Sequence, residues 1–188
     1  LESVTELGAM HHLYMSEEES YKGDNHIFTI RSGGQTGVDR AALDAALLYK
    51  NYIQVTGWCP KGRLSEEGEI PPHYPLVETP SDSYPERTEF NIRDSDATLI
   101  LLLPKAPPDR GTSFTIEKAE KLSKPSKIIL LDEKTTNVIH VLKWLDEKNV
   151  KVLNVGGPRE SNCPGIYTKA FNFMVALIKK KIEDTPTY

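Results

Sequence analysis

Ile27-Phe28-Thr29-Ile30-Arg31-Ser32-Gly33-Gly34-Gln35-Thr36-Gly37-Val38-Asp39-Arg40 runs from β-branched and apolar residues into two adjacent glycines, a polar pair, a third glycine and then helical spacing. The pattern predicts a strand, a tight turn and a helix N-terminus. Glycine lets the backbone turn sharply and lets a ligand approach the main chain. The free N–H groups and dipole of a helix start favour an anion. Gly33, Gly34, Gln35, Thr36 and Gly37 are therefore candidate phosphate-binding residues. The spacing departs from two familiar cradles. A Walker loop places Lys-Ser or Lys-Thr after its last glycine, where this chain has Val38-Asp39, and G-G-x-x-G is not the dinucleotide fingerprint G-x-G-x-x-G. A glycine-rich turn without a ligand is the plain alternative.

The 188 residues suit one domain with a sizeable core. The charged fraction of 27% and net charge of -4 give no broad basic face, which argues against bulk nucleic-acid binding. A small phosphorylated ligand stays open, because a helix start and a few arginines suffice. No apolar run has the length of a membrane span, so no membrane partner is expected. Two cysteines, Cys59 and Cys163, make no disulfide framework, and a cytoplasmic location is expected. Residues 1–25 read as a polar, disordered leader, 26–182 as one Rossmann-like ligand-binding domain, and 183–188 as a tail. Leu7–Met15 has the makings of a short helix. His11-His12 lacks a third metal ligand nearby, and no metal site is expected.

From the turn onward, strands and helices alternate. Val38, Ala41, Ala42, Ala45 and Ala46 mark a helix whose small face allows close packing. Ile53–Thr56 reads as a strand, residues 57–72 as loop, and Pro75–Thr79 as a brief extended piece. Ser83 and Pro85 start a charged helix ending near Arg93. Ala97–Leu103 is apolar throughout, as a strand buried on both faces is. Thr112 or Ser113 is expected to cap the next helix. A strand over Lys127–Leu131, caps at 135–137, a core helix from Val138 carrying a structural His140, a strand over Val152–Val155 and a last helix from Ile166 follow. The alternation predicts an α/β, doubly wound, mostly parallel sheet of about five strands with helices on both faces. In such sheets ligands bind beyond the carboxyl ends of the strands. The loops after Arg31, Val55, Leu103 and Val155 all leave those ends, which predicts one shared pocket.

Several motifs, in order, resemble the molybdenum carrier family: Ser32–Asp44, Gly57-Trp58-Cys59-Pro60-Lys61-Gly62-Arg63, Glu78-Thr79-Pro80-Ser81, Arg87–Thr98 and Asn154–Ser161. The resemblance covers residues 27–180. That family is similar to a circularly permuted branch of the Rossmann-like superfamily containing lysine-decarboxylase-like phosphoribohydrolases and DNA-processing protein A. The resemblance implies a nucleotide or molybdopterin-type ligand, with molybdenum cofactor as the candidate, and a homo-oligomer. One departure bears on chemistry. The phosphoribohydrolases share a Gly-Thr-x-x-Glu stretch whose Glu is catalytic, and here Gly111-Thr112 leads to Thr115 at that place. Glu117 comes two residues late, and Arg110 stands where another glycine is expected.

The remaining candidate ligand residues are Asp39 and Arg40 in the first helical turn, Lys61 and Arg63 in the turn-rich loop, and Arg87 and Asn91 on one helix face. Asp94 and Asp96, which precede the buried strand, are the next, with Gly111 and Thr112 at a second helix start and Gly157 and Arg159 after the last strand. Each also has an ordinary structural reading as a cap, an ion pair or a solvated loop. The expected function is a carrier that holds a phosphate-bearing heterocycle in a Gly-rich pocket. The alternatives are a nucleoside-monophosphate phosphoribohydrolase, for which Glu89, Asp94 and Glu117 are the candidate carboxylates, and a nucleotide-sensing interaction module. Gly34→Asp is expected to abolish anion binding without unfolding the chain.

Overall fold

The computed structural model describes residues 27–132 and 138–185. The expectations for the leader, the His11-His12 pair and the caps at 135–137 lie outside them. The quoted stretch forms β1 (Thr29–Arg31), the turn, and α1 (Val38–Leu47), followed by β2 (Gln54–Thr56). Then come β3 (Trp58–Cys59), β4 (Leu64–Ser65), β5 (Gly68–Glu69) and β6 (Val77–Glu78). The chain continues through α2 (Tyr84–Arg93), β7 (Ala97–Leu102), α3 (Arg110–Lys121), β8 (Ser126–Leu130), α4 (Val138–Glu147), β9 (Val152–Gly156) and α5 (Ile166–Glu183).

The central sheet has the order β2-β1-β9-β7-β8, and every pair in it is parallel. Counted from β9 instead of β1, the same strands follow the order 3-2-1-4-5, the beginning of the dinucleotide-fold winding. The chain is thus a permuted version of that winding, a property periodicity does not carry. The winding reverses between β9 and β7, so the crevice expected of such a sheet lies between their carboxyl ends.

All six residues of β7 are buried, as the apolar run predicts for a strand covered on both faces. The alanine face of α1 is fully buried, and α1 packs along α5. On another side α2 packs on α3. Register aligns Arg31 with Asn154, and Asn154 with Thr98. These three polar residues therefore form one row across the sheet, and Asn154 donates to the Thr98 hydroxyl at 3.3 Å. Ser83 caps α2 as expected, accepting from the Glu86 N–H at 3.4 Å.

Three local expectations change. Residues 57–72 contain short strands: β3 pairs with β6, and β4 with β5. Two-residue strands are too short for an alternating pattern. Helix α3 is capped by Asp109, not by Thr112 or Ser113; the Asp109 carboxylate accepts from the Thr112 N–H at 2.8 Å and its hydroxyl at 2.7 Å. His140 is exposed rather than in the core, because it lies off the stripe formed by Val141, Leu142 and Leu145.

The excursion from β4 to β6 is held by one guanidinium. Arg63 donates to the carbonyls of Ile70, Pro71, Tyr74 and Leu76 at 2.9, 2.9, 3.0 and 3.2 Å. These bonds satisfy buried backbone acceptors that lack a regular strand partner. Arg63→Ala should lower stability by about 2–3 kcal/mol, read from denaturant midpoints. It should also make residues 64–76 an early site of limited proteolysis.

Candidate functional site

The crevice at the ends of β7 and β9 contains an open cavity of about 70 Å³. Its floor is the end of β9, Asn154 to Gly157. The turn after β1 contributes Gln35 and Asp39, and α2 contributes Tyr84, Arg87, Thr88 and Asn91. The start of α3 supplies Asp109, Gly111 and Thr115, and the loop after β9 supplies Arg159. Of the four loops expected to share a pocket, those after β1, β7 and β9 line the cavity and the one after β2 does not.

Close backbone contacts bring these walls together. Gly37, at φ 74, presses on the β9 loop, where a Cβ would meet the Glu160 nitrogen at 2.8 Å. The Val38 N–H donates to the Pro158 carbonyl at 3.2 Å. Ser32 Oγ donates to the Val155 carbonyl at 2.7 Å. Gly33 lies flat against the Arg87 guanidinium, whose Nε would sit 2.7 Å from a Cβ there.

Arg87 and Asp39 form a buried ion pair at 3.0 Å. Burial pushes the Asp39 carboxyl above the usual carboxylate range, against the opposing pull of Arg87 and of the Gln35 N–H. Asp109 behaves in the opposite way. Burial raises it, but the Asn162 side chain, the Thr112 N–H and the Thr112 hydroxyl outweigh that, and its carboxyl lies below the usual range. Gln35 is 6% exposed. Its Oε1 accepts from the N–H groups of Thr36 and Glu66, both at 3.0 Å, which fixes the amide. Its Nε2 then has two hydrogens and no partner among the described residues. A buried donor of that kind costs stability unless something accepts from it. The guanidinium carbons of Arg87 and Arg159 lie 6.0 and 5.8 Å from the Tyr84 ring centre, within cation–π range.

A model of the Circularly permutated YpsA SLOG family matches residues 30–178. The chain belongs to that family. A crystal structure of a protein called "Putative molybdenum carrier protein", from Syntrophus aciditrophicus SB, is 37% identical with a TM-score of 0.73. The match covers 82% of this chain and 96% of that one. No curated protein matches. The resemblance read from the motifs and the permuted strand order therefore agree with the family match.

In this SLOG chain, seven predicted residues meet at the cavity: Gln35, Asp39, Arg87, Asn91, Gly111, Gly157 and Arg159. Asn91 faces it while bonding both backbone groups of Trp58, at 2.8 and 2.9 Å. Others lie elsewhere. Gly34 packs on Leu76 and Ile70, where a Cβ would come within 2.6 Å of Leu76, so Gly34→Asp would disturb the core and is no clean test of anion binding. Thr36 Oγ1 accepts from the Glu160 N–H at 3.2 Å and donates to Glu66. Arg40 bonds the Gly34 carbonyl at 3.2 Å, and Arg63 is the staple described above. Lys61 is exposed, its N–H bonded to the Ser81 carbonyl at 2.9 Å. Thr112 is turned to its cap Asp109.

Asp94 binds Trp58 Nε1 at 2.8 Å and Arg93 at 2.6 Å. Asp96 sits at the amino ends of the strands, opposite the cavity, accepting from the N–H groups of Lys151 and Val152 at 2.8 Å each. Glu89 pairs with Lys118 at 2.8 Å, and Glu117 is exposed. Sequence reasoning missed Tyr84, Thr88, Asp109 and Asn154 as lining residues. Asn154 had a signal, a polar residue inside an apolar strand; Tyr84 had none beyond its place beside Pro85.

Arg87→Ala leaves a buried, unpaired carboxylate at Asp39. It should cost roughly 3–5 kcal/mol near neutral pH. Without Arg87 the native Asp39 pKa stands still higher above its unfolded value. The folded state then holds a proton that the unfolded chain releases, so stability falls as pH rises through the native pKa and recovers below it. Urea unfolding across pH 5–8 checks the slope, and Asp39→Asn in the same chain should restore much of the loss.

Proposed function

We propose that this protein is a cytoplasmic carrier that holds a phosphate-bearing heterocycle, molybdopterin or nucleotide in type, at the β7–β9 crevice and releases it unchanged. The observation that carries the reading is the buried Gln35 Nε2, a fixed donor without a partner, lining a cavity that also has Arg159 and the Tyr84 ring. Amide and guanidinium donors suit phosphate oxygens and ring carbonyls, and a tyrosine face suits a planar ring. The cavity is smaller than the roughly 300 Å³ or more of a pocket enclosing a whole ligand. In this reading it takes one anionic or carbonyl-bearing group, with the rest of the ligand held at its mouth.

The donor set fits molybdenum cofactor as cargo held through its phosphate and pterin. Among the described residues no cluster of three His, Cys, Asp or Glu is placed for a metal. Cys59 lies wholly in the core, where burial pushes its thiol up, away from the thiolate a metal would need. Molybdenum would thus travel on the cofactor's own sulfur atoms. No described helix is long and apolar enough to cross a membrane.

Hydrolysis of a nucleotide would instead ask for a carboxylate free to act beside the sugar. Thr115 lines the cavity where the phosphoribohydrolases resemble one another in a glutamate, and Asp39 and Asp109 are both engaged. Mass spectrometry of gently purified protein should find a phosphorylated heterocycle, and a panel of nucleoside monophosphates should release no free base. Base release would establish the enzyme and sink the carrier. Tyr84→Leu should weaken binding of adenosine 5′-monophosphate, used as a probe, by about tenfold, the size of one lost stacking contact. Tyr84→Phe should leave it unchanged, and calorimetric titration reads both.

A further inference from the structure

The tip of the β4–β5 hairpin makes an unusual contact. Glu66 turns its carboxylate inward, onto the two glycine-rich loops that wall the cavity. One oxygen accepts from the Thr36 hydroxyl and from the Ser161 N–H at 3.3 Å. The other accepts from the Ser161 hydroxyl and lies 3.6 Å from Arg159 Nη1. All these donors belong to the turn after β1 and the loop after β9, and none to the hairpin. Its neighbour Glu67 shows what a hairpin carboxylate does without such a site: its side chain is 68% exposed, with one contact at 3.8 Å to Arg40.

Two hydroxyls, a backbone N–H and a guanidinium around one anion are the donors that bind phosphate. A carboxylate can fill such a site because it carries the same charge sign and accepts the same bonds. The hairpin has two paired positions, Leu64 with Glu69 and Ser65 with Gly68, and its tip is exposed, so its own strands hold it weakly. Glu66 also reaches the cavity itself. Its N–H fixes the Gln35 amide, and its carboxylate holds Arg159, both of which line the cavity.

We propose that Glu66 is a built-in stand-in for a ligand anion. In this account Thr36, Arg159 and Ser161 form a phosphate subsite beside the cavity. The hairpin carboxylate fills it in the free protein and gives way when a phosphate-bearing ligand enters, enlarging the crevice as it leaves. Arg159 exchanges one anionic partner for another, so its charge stays paired throughout. The proposal rests on the reading that the cavity takes a phosphorylated ligand.

Calorimetric titration with inorganic phosphate tests it, using the full chain and the variants Glu66→Gln, Glu66→Ala and Glu66→Ala with Ser161→Ala. Glu66→Ala should bind phosphate at least tenfold more tightly than the parent chain, Glu66→Gln should fall between, and adding Ser161→Ala should remove the gain. Equal or weaker phosphate binding in folded Glu66 variants overturns the proposal. So does a gain that survives Ser161→Ala, since the phosphate then sits elsewhere. If Glu66→Ala fails to melt cooperatively, Glu66→Gln decides alone, because it keeps the size of the side chain and removes its charge. Adenosine 5′-monophosphate, titrated in parallel, separates the two readings. Nucleotide binding to the parent chain without phosphate gain in the variants sinks the stand-in alone. Phosphate gain without nucleotide binding by any form supports the subsite and removes the nucleotide type from the cavity reading.

Discussion

The buried pair between Asp39 and Arg87 is the constraint around which the site is built. Asp39 opens α1, Arg87 belongs to α2, and the pair joins the first turn of the sheet to a helix packed on α3. A charge buried without its partner is far more costly than the pair. The pair therefore fixes the relative position of two elements that share no backbone bonding of their own. It also explains the first glycine of the turn. The Arg87 guanidinium occupies the space that any side chain at position 33 would need. The glycines that look in sequence like a ligand cradle serve, at Gly33, Gly34 and Gly37, to let protein approach protein. Of the turn's donors, the N–H groups of Gln35, Thr36 and Val38 go to Asp39, to Gln35 itself and to Pro158. What the turn offers the cavity is the Gln35 side chain.

A carboxylate of the chain likewise meets the helix start at α3. A helix start after Gly111-Thr112 reads as an anion site, and Asp109 supplies the anion from within the chain. With Glu66 on the two glycine-rich loops, three anion-seeking sites are met by carboxylates of the chain itself. The Gln35 amide nitrogen and Arg87 Nε are the crevice donors that these carboxylates leave without a partner among the described residues.

How much was legible in the sequence follows from the range of the interactions. The strand, turn and helix of residues 29–47, the buried run of β7 and the Ser83 cap are local patterns, and each is where periodicity places it. Strand β3 pairs across nineteen positions with β6, as Trp58 with Val77, and nothing at either residue announces the other. Arg63 reads as a loop cation because its four carbonyl partners are revealed only by the course of the loop. Asp96 reads as a site residue for its place before a buried strand. The strand's direction sends it to the wrong end of the sheet. Glu66 sits in a run of acidic and glycine residues that composition describes as solvated loop. Its inward turn depends on Thr36 and Ser161, which are distant in sequence from it and from each other.

The permuted strand order has a consequence in time. In the unpermuted winding the strands on either side of the reversal are the first and fourth to appear. Here β1 and β9 lie side by side although more than a hundred residues separate them, and the Ser32 hydroxyl bonds the Val155 carbonyl across that span. During synthesis β1 and β7 are made with an empty lane between them, each exposing an unpaired edge to the other. Chains gain structure from the amino end as they emerge, yet this sheet is completed by insertion of its central strand after all the others exist. The crevice floor, Asn154 to Gly157, is part of that strand. A ribosome-bound chain therefore lacks the crevice floor, and with it the finished crevice, until β9 and the loop through Ser161 have emerged.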